Sequence, residues 1–344
     1  MELTYERICA HTRYPFHIAR AGASVEGRDV KRIIMRLEHD GIVGMGEAAP
    51  APYYGQDLDS VERTLVAAKD LLEGPPGPIA PIVDALLERF DDQRATVAAI
   101  DAALHDWQGK RAGQSVWRLL ELDRLATPPT SMTIGIDTSD LIERKVSEAS
   151  GFGILKIKVG TDHDVQTLET IRRFAPSQTL RVDANCGWTP DNVADRMAAI
   201  ARFDLELIEQ PLPAGSYEAL GRIQAEKLAG APIIADEDCQ RPADIDKLVG
   251  LVDGVNIKLS KCGGLVEALR MVRRAREVGL SVMLGCMAET SLGVAAAAQI
   301  APLADYVDLD GHLLLADDPF DGLELVRDTV RPSKGPGLGV TAKA

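Results

Sequence analysis

Cysteine is scarce and unpatterned in this chain. The five that occur (Cys9, Cys186, Cys239, Cys262, Cys286) are odd in number, scattered and free of Cys-x-x-Cys spacing, which argues against both a disulfide framework and a zinc site. Long apolar runs are missing as well. Apolar residues make up 46% and charged residues 26%, as in ordinary globular proteins, and no stretch has the length that a membrane span needs. The opening residues lack the basic-then-apolar pattern of a secretory signal, so the cytoplasm is the expected compartment. Positive charge is in deficit: 38 Lys and Arg against 52 Asp and Glu leave a net charge of −14. Such a surface repels phosphate backbones and anionic lipids, so neither nucleic acid nor membrane is expected as a partner. Nucleotide signatures are absent too, since Gly109-Lys110-Arg111-Ala112-Gly113-Gln114-Ser115 lacks Walker spacing and no Gly-x-Gly-x-x-Gly follows a strand.

A chain of 344 residues can bury one large barrel plus a smaller domain. Residues 30–38 and 42–47 read as a hairpin around the turn signal Asp40-Gly41. Gly44, Gly46, Ala48 and Pro50 then lead into a loop through Tyr53 and Tyr54. A helix from Asp59 places Val61, Leu65, Ala68 and Leu72 on one face, and two more helices follow. The second of these, over 95–110, turns Ile100, Ala103, Leu104 and Trp107 toward a core and should stop at Gly113. Residues 1–123 therefore read as an α+β unit. From 131 the pattern becomes eight short β-rich runs, 131–136, 154–159, 179–184, 205–209, 232–236, 254–258, 280–285 and 305–310, separated by helical stretches. The expected class is α/β, a (β/α)7β TIM-type barrel over 124–318. Residues 319–344 lack an eighth helix and are expected to run back to the N-terminal unit, completing the cap.

Ionisable residues lie at or near the ends of these runs: Lys158, Asp183, Glu209, Asp236, Lys258, and Asp308 with Asp310. Their intervals of 25, 26, 27, 22 and 50 residues put each about one βα unit from the next, with the last spanning the seventh strand. Any one of them could be the solvated edge of a barrel, but six strands in register imply one rim. Three buried carboxylates need a cation, so Asp183, Glu209 and Asp236 are the candidate metal ligands. All-oxygen ligation favours magnesium, with manganese the alternative. The histidines (His11, His17, His39, His105, His163, His312) are dispersed, and none ends one of the first seven runs, which leaves them structural or surface roles. Lys156 and Lys158 alternate with Ile157 and so share a face, while Lys258 sits on the sixth strand across the barrel. Two opposed amines suit an epimerase. A metal-bound carboxylate has its α-proton acidified, and one lysine can remove the proton while the other returns it. A cation and partial burial would lower the lysine pKa toward working pH. The competing reading makes these lysines mere salt-bridge partners of the acidic rim. Asp308 and Asp310 share a face and would hold a substrate ammonium, with a second metal as the weaker alternative.

These residues resemble the enolase superfamily, and within it the muconate-lactonizing-enzyme-like subgroup. The resemblance rests on Leu155-Lys156-Ile157-Lys158, Val182-Asp183-Ala184-Asn185, Ile208-Glu209-Gln210-Pro211-Leu212-Pro213, Ala235-Asp236-Glu237, Asn256-Ile257-Lys258-Leu259 and Gly263-Gly264, and spans nearly the whole chain. Asp308-Leu309-Asp310 and the run Gly285-Cys286-Met287-Ala288-Glu289 are similar to dipeptide epimerases of the L-Ala-D/L-Glu type. The resemblance implies that the Asp-x-Asp pair binds the free ammonium, that Lys158 and Lys258 act at the α-carbon of the C-terminal residue, and that Lys156 assists the metal-bound carboxylate. It also implies that cap loops near 15–30 and 50–58 close over the substrate side chain. Arg20 is a candidate partner for an acidic side chain there, or equally a cap surface residue, and Thr133 and Cys286 are weaker candidates for lining the substrate.

Cycloisomerases, o-succinylbenzoate synthases and N-acylamino acid racemases share the metal and lysines but need no ammonium clamp. A catalytically idle small-molecule binding protein would leave the lysines and carboxylates unexplained. Which dipeptide is preferred stays open at this level, as does assembly into a homo-oligomer.

Overall fold

The computed structural model describes residues 1–20, 23–228 and 230–343, except for the side chains of 20 and 23–26. The chain begins with an antiparallel meander, β1 (Glu2–Arg20), β2 (Ala23–His39) and β3 (Ile42–Ala48). Asp40 and Gly41 take φ of 53° and 71°, the left-handed pair that closes a two-residue hairpin with the native strand twist. Alternation along β2 sends Ile33, Met35 and Leu37 inward, against α1 (Leu58–Ala67), α2 (Ile79–Arg89) and α3 (Arg94–Ala112). Each such side chain contributes about 1.5–3 kcal/mol of apolar burial. A capping box starts α1, with Asp57 accepting from the Ser60 N–H at 2.7 Å and Ser60 Oγ accepting from the Asp57 N–H at 3.0 Å. Gly113 ends α3 at φ 64°. Gly44 and Gly46 let β3 lie directly on α3, where an added Cβ would sit 2.0 Å from the Ala103 and Ala99 carbonyl oxygens.

One segment differs from the sequence expectation. Residues 15–20, read as a loop, are the outer half of β1, paired to β2 from Phe16↔Gly27 to Arg20↔Ala23. The register shifts between His11 and Phe16, and this bulge takes up Pro15, which has no N–H for a regular ladder. The expected loop is therefore a strand that reaches out over the barrel.

A short helix α4 (Val116–Leu119) leads to the barrel. Its units follow as β4 (Met132–Ile134), α5 (Ser139–Glu148), β5 (Ile154–Lys158), α6 (Asp164–Phe174), β6 (Thr179–Asp183), α7 (Val193–Ile200), β7 (Leu205–Glu209) and α8 (Tyr217–Glu226). The second half comprises β8 (Ile233–Ala235), α9 (Pro242–Leu248), β9 (Gly254–Ile257), the short α10 (Leu259–Cys262), α11 (Leu265–Glu277), β10 (Ser281–Gly285), α12 (Ser291–Ala298) and β11 (Tyr306–Asp308). All eight strands run parallel in sequence order. The ring closes through the Thr130↔Val307 bridge, with the Ser131 N–H donating to the Val307 carbonyl at 3.1 Å.

After β11 comes a 3-10 turn, Gly311–Leu314, in place of an eighth α-helix. The tail then forms β12 (Phe320–Asp321) with β15 (Thr341–Ala342), and β13 (Glu324–Val326) with β14 (Thr329–Arg331). Gly337 and Leu338 dock on the cap: the Val116 N–H donates to the Gly337 carbonyl at 3.0 Å, and the Leu338 N–H to Asp106 Oδ1 at 2.8 Å.

Candidate active site

The carboxyl ends of the strands carry the ionisable rim. Lys158↔Asp183 and Asp183↔Glu209 are direct ladder partners on β5, β6 and β7, and Asp236 follows β8. Asp183 and Glu209 are fully buried and Asp236 nearly so. The pleat points Lys156 and Lys158 to the same side of β5, into the barrel. The Lys156 ammonium sits among three carboxylates, 3.1 Å from Asp183 Oδ2, 2.7 Å from Glu209 Oε2 and 2.7 Å from Asp308 Oδ2. Lys158 Nζ lies 2.7 Å from Asp183 Oδ2, and Lys258 Nζ 2.7 Å from Asp236 Oδ2. Lys258 follows β9, which stands four places from β5 in the eight-membered ring, so the two amines face each other across the mouth. The salt-bridge reading thus describes the contacts of these lysines in this state, although their opposition across a cavity goes beyond it.

That cavity, about 180 Å³, is bounded by Lys158 and Lys258, by Asp308 and Asp310, and on the cap side by Phe16 and Tyr53. Thr133 and Cys286 line it as well. The Thr133 N–H donates to Asp310 Oδ2 at 2.6 Å, and the Cys286 thiol to the Asp308 carbonyl at 3.4 Å. Ser131 Oγ donates to Asp308 Oδ1 at 2.6 Å. The Arg20 side chain lies outside the described residues. A larger and mostly apolar cavity, about 240 Å³, is bounded by Phe16, Thr133 and Leu314; its charged lining is Arg13, Lys145 and Glu148, and the lysines and carboxylates that converge at the barrel mouth do not line it.

Electrostatics separates the carboxylates. Burial pushes Glu209 up to about 7, reinforced by the neighbouring charge of Asp183. Burial would raise Asp183 too, but Lys158 and Lys156 outweigh it and hold that group below the usual range; Lys258 and Lys261 do the same for Asp236. Burial and Asp308 push Asp310 up to about 6, whereas Lys156 outweighs burial at Asp308 and lowers it. For Lys258 burial acts downward, yet Asp236 and Glu209 prevail and raise it, the reverse of the lowered lysine pKa expected from the sequence. The reason is that the same carboxylates expected to serve a cation are here turned on the lysines.

The donor set fits a hard divalent cation. Asp183, Glu209 and Asp236 converge as oxygen donors from three adjacent strands, and Glu209 Oε2 is buried without an aligned hydrogen-bond donor despite the nearby Lys156 ammonium. A carboxylate oxygen left so, on a group that burial alone drives toward protonation, gains most from a cation.

Several supporting residues escaped the sequence reading. Asn256 Nδ2 donates to Glu209 Oε1 at 2.8 Å. Lys261, one turn beyond Lys258, pairs with Asp236 Oδ1 and donates to the Asp236 carbonyl at 2.6 Å and the Asn256 carbonyl at 2.9 Å. Gln210, at φ 35°, turns back so that its Oε1 accepts from the Asp236 N–H at 2.8 Å, fixing the end of β8 against that of β7. The Lys258-x-x-Lys261 spacing, which puts both amines on one side of a helical turn, was the signal available for Lys261.

Fold and site together define an enolase-type barrel enzyme, an isomerase of the racemase and epimerase kind. Residues 3–121 match the family described as mandelate racemase / muconate lactonizing enzyme, N-terminal domain, and residues 139–344 match the enolase C-terminal domain-like family. The chain belongs to the mandelate racemase / muconate lactonizing enzyme family of the enolase superfamily. It is 37% identical over 308 residues to an L-Ala-D/L-Glu epimerase of Bacteroides thetaiotaomicron, covering 89% of this chain and 80% of that one. It is 36% identical to a hydrophobic dipeptide epimerase of Roseobacter litoralis, covering 98% of each. Among solved structures it is similar, with a TM-score of 0.90, 31% identity and 99% of both chains covered, to a dipeptide epimerase from Enterococcus faecalis complexed with Mg and the dipeptide L-Leu-L-Tyr.

Proposed function

We propose that this protein epimerises dipeptides at the α-carbon of the C-terminal residue, with Lys158 and Lys258 as the two proton-transfer groups and Asp308 and Asp310 as the ammonium clamp. The observation that carries this reading is the pair of amines on opposite strands of the ring, flanking a cavity that has an Asp-x-Asp pair at one side. Asp183, Glu209 and Asp236 would hold magnesium, with manganese the alternative, and Lys156 would face the substrate carboxylate beside it. When bound, the cation supplies positive charge to the substrate carboxylate as negative charge develops at the α-carbon, which acidifies the α-proton.

The chain's own groups do the rest. Lys158 Nζ takes the α-proton from one face, and Lys258 Nζ delivers a proton to the other, which inverts the centre; the reverse direction exchanges the roles. Burial favours the neutral amine at Lys258, so it becomes a competent base once the charges of Asp236 and Glu209 are engaged elsewhere. Asp310, held by the Thr133 N–H, and Asp308, held by Ser131 and Lys156, are fixed where a substrate ammonium would meet them. Phe16 and Ile18 of the β1 arm, with Tyr53 and Tyr54 of the turn after β3, cover the cavity and exclude water from the carbanion. The same reading makes the protein a cytoplasmic enzyme of small peptides with no nucleic-acid partner, supported by its acidity and by the lack, among the described residues, of a helix able to cross a membrane.

The test is α-proton exchange in deuterium oxide, followed by proton NMR, on a panel of L,L-dipeptides with and without magnesium. Metal-dependent exchange with inversion at the C-terminal residue is expected. Turnover of N-acylamino acids in preference to free dipeptides would overturn the reading in favour of a racemase.

A further inference from the structure

A second cluster of ligand-type side chains lies on the cap, and none of them lines the barrel-mouth cavity. Cys9 and His11 alternate with Ala10 on β1 and so share a face, and His11 is directly paired with Asp29 on β2. One ligand atom from each of the three residues, a sulfur, a nitrogen and an oxygen, lies within 4.8 Å of the other two, and all three residues are exposed. His11 Nε2 is 3.9 Å from Asp29 Oδ1. The other ring nitrogen is already engaged: Nδ1 lies 2.7 Å from Asp317 Oδ2, while Asp317 Oδ1 accepts from the His11 backbone N–H at 2.6 Å. An anionic carboxylate cannot donate, so this contact places a proton on Nδ1, and in the neutral ring the Nε2 lone pair is then on the side of Asp29. A carboxylate that orients an imidazole through its far nitrogen is the outer-shell arrangement that metal-binding histidines use.

We infer that Cys9, His11 and Asp29 form a binding site for a borderline divalent transition ion such as Zn²⁺, oriented by Asp317 and independent of the barrel-mouth carboxylates. Binding releases the Cys9 S–H proton to solvent, and the ion takes thiolate sulfur, imidazole nitrogen and carboxylate oxygen, with water in a fourth position. A tetrahedral zinc holds such atoms about 3.3–3.7 Å apart, so the cluster needs to contract by about 1 Å, within reach of rotamer changes in exposed side chains. Lys31, whose Nζ is 3.9 Å from Asp29 Oδ2, competes for that carboxylate, which favours a modest affinity. The two sites sort by softness: sulfur and imidazole select the transition ion, and the all-oxygen set at the barrel mouth suits magnesium. Sequence spacing argued against a zinc site because it weighs cysteine spacing alone, whereas Asp29 and Asp317 arrive by strand pairing and from the far end of the chain.

Cobalt reports on the site without ambiguity. With the full-length protein kept saturated in magnesium, Co²⁺ is titrated and the near-ultraviolet thiolate-to-cobalt charge-transfer band recorded, a band that carboxylate ligands cannot produce. One equivalent should saturate it, and Zn²⁺ should bleach it. The band should vanish in Cys9→Ser, while Asp317→Asn weakens binding about tenfold and His11→Ala weakens it more. Magnesium-dependent activity should be unchanged in Cys9→Ser, which also shows that the variant folds. Absence of the band, or its persistence in Cys9→Ser, overturns the proposal.

Discussion

At the scale of single residues, the barrel mouth holds amines and carboxylates in near balance, and removing either partner exposes the other's role. Lys158→Ala and Lys258→Ala are each expected to lower epimerisation by about 10²–10⁴, the usual contribution of a positioned acid or base. Because the two amines approach from opposite faces, each variant should keep α-proton exchange with one enantiomer of the C-terminal residue and lose it with the other. Deuterium incorporation into L,L- and L,D-dipeptides measures this, and equal exchange of both by either variant would refute the two-base scheme. Asp310 makes a separable contribution, since its held oxygen accepts from Thr133 while the carboxylate borders the cavity. Asp310→Asn should raise KM for free dipeptides roughly 10- to 100-fold, the worth of a hydrogen bond to a charged group, with a smaller change in kcat. N-acetylated dipeptides should bind both forms equally.

At the scale of elements, cap and barrel share a buried network beside the active-site loop. Arg32 on β2 donates to the Ala288 carbonyl at 2.6 Å, in the loop after β10 that also lines the site. Glu47 on β3 reaches the start of α12, accepting from the Thr290 N–H at 3.1 Å and the Gly293 N–H at 3.2 Å. Burial, then Glu289, pushes Glu47 up to about 7 from 4.5. Between those two values the unfolded chain has lost a proton that the native state keeps, so this contribution to stability is present at low pH and is lost as pH rises through the window. The size is on the order of 3 kcal/mol. Glu47→Gln carries no such proton, so its unfolding midpoint in urea should fall less than that of the parent between pH 5 and pH 8. Equal slopes would mean that Glu47 does not titrate in that range. None of this network was legible in the sequence, where Arg32 and Glu47 read as ordinary residues of a hairpin. The outer half of β1 was misjudged for a related reason: Pro15 signals a break in regular pairing, and only the partner strand shows that the break is a single bulge.

At the scale of the molecule, the C-terminal tail that continues from the barrel is tied back to the cap through Asp106. Its Oδ1 accepts from the Leu338 N–H at 2.8 Å, and its Oδ2 from the Met45 N–H at 2.8 Å and from Lys110 Nζ at 2.7 Å. Tail, β3 and α3 thus meet at one buried carboxylate. Gly337 fits beside it at φ 68°, where an added Cβ would lie 2.1 Å from Asp106 Oδ1. Gly337→Ala should therefore cost about 2–4 kcal/mol, from overpacking plus the left-handed backbone penalty. Chemical denaturation measures the loss, and an unchanged midpoint would show that tail docking adds nothing to stability.

What the sequence determined by itself was periodic or local: eight β-rich runs spaced by helices, ionisable residues near their ends, and a lysine pair two apart on one strand. These follow from the two-residue pleat and the regular length of a βα unit, which act within a few dozen residues. The tertiary structure alone decided which amine meets which carboxylate, and that Lys261 and Asn256 brace Asp236 and Glu209. It also decided that the first of the two cap segments at the mouth is a strand rather than a loop, while the second, through Tyr53 and Tyr54, lines the cavity as expected, and that Cys9 and His11 find Asp29 and Asp317. Those outcomes depend on ring closure, strand register and a tail that returns across the fold. Each brings together groups far apart along the chain, and interactions set by distance in space leave no period in a sequence.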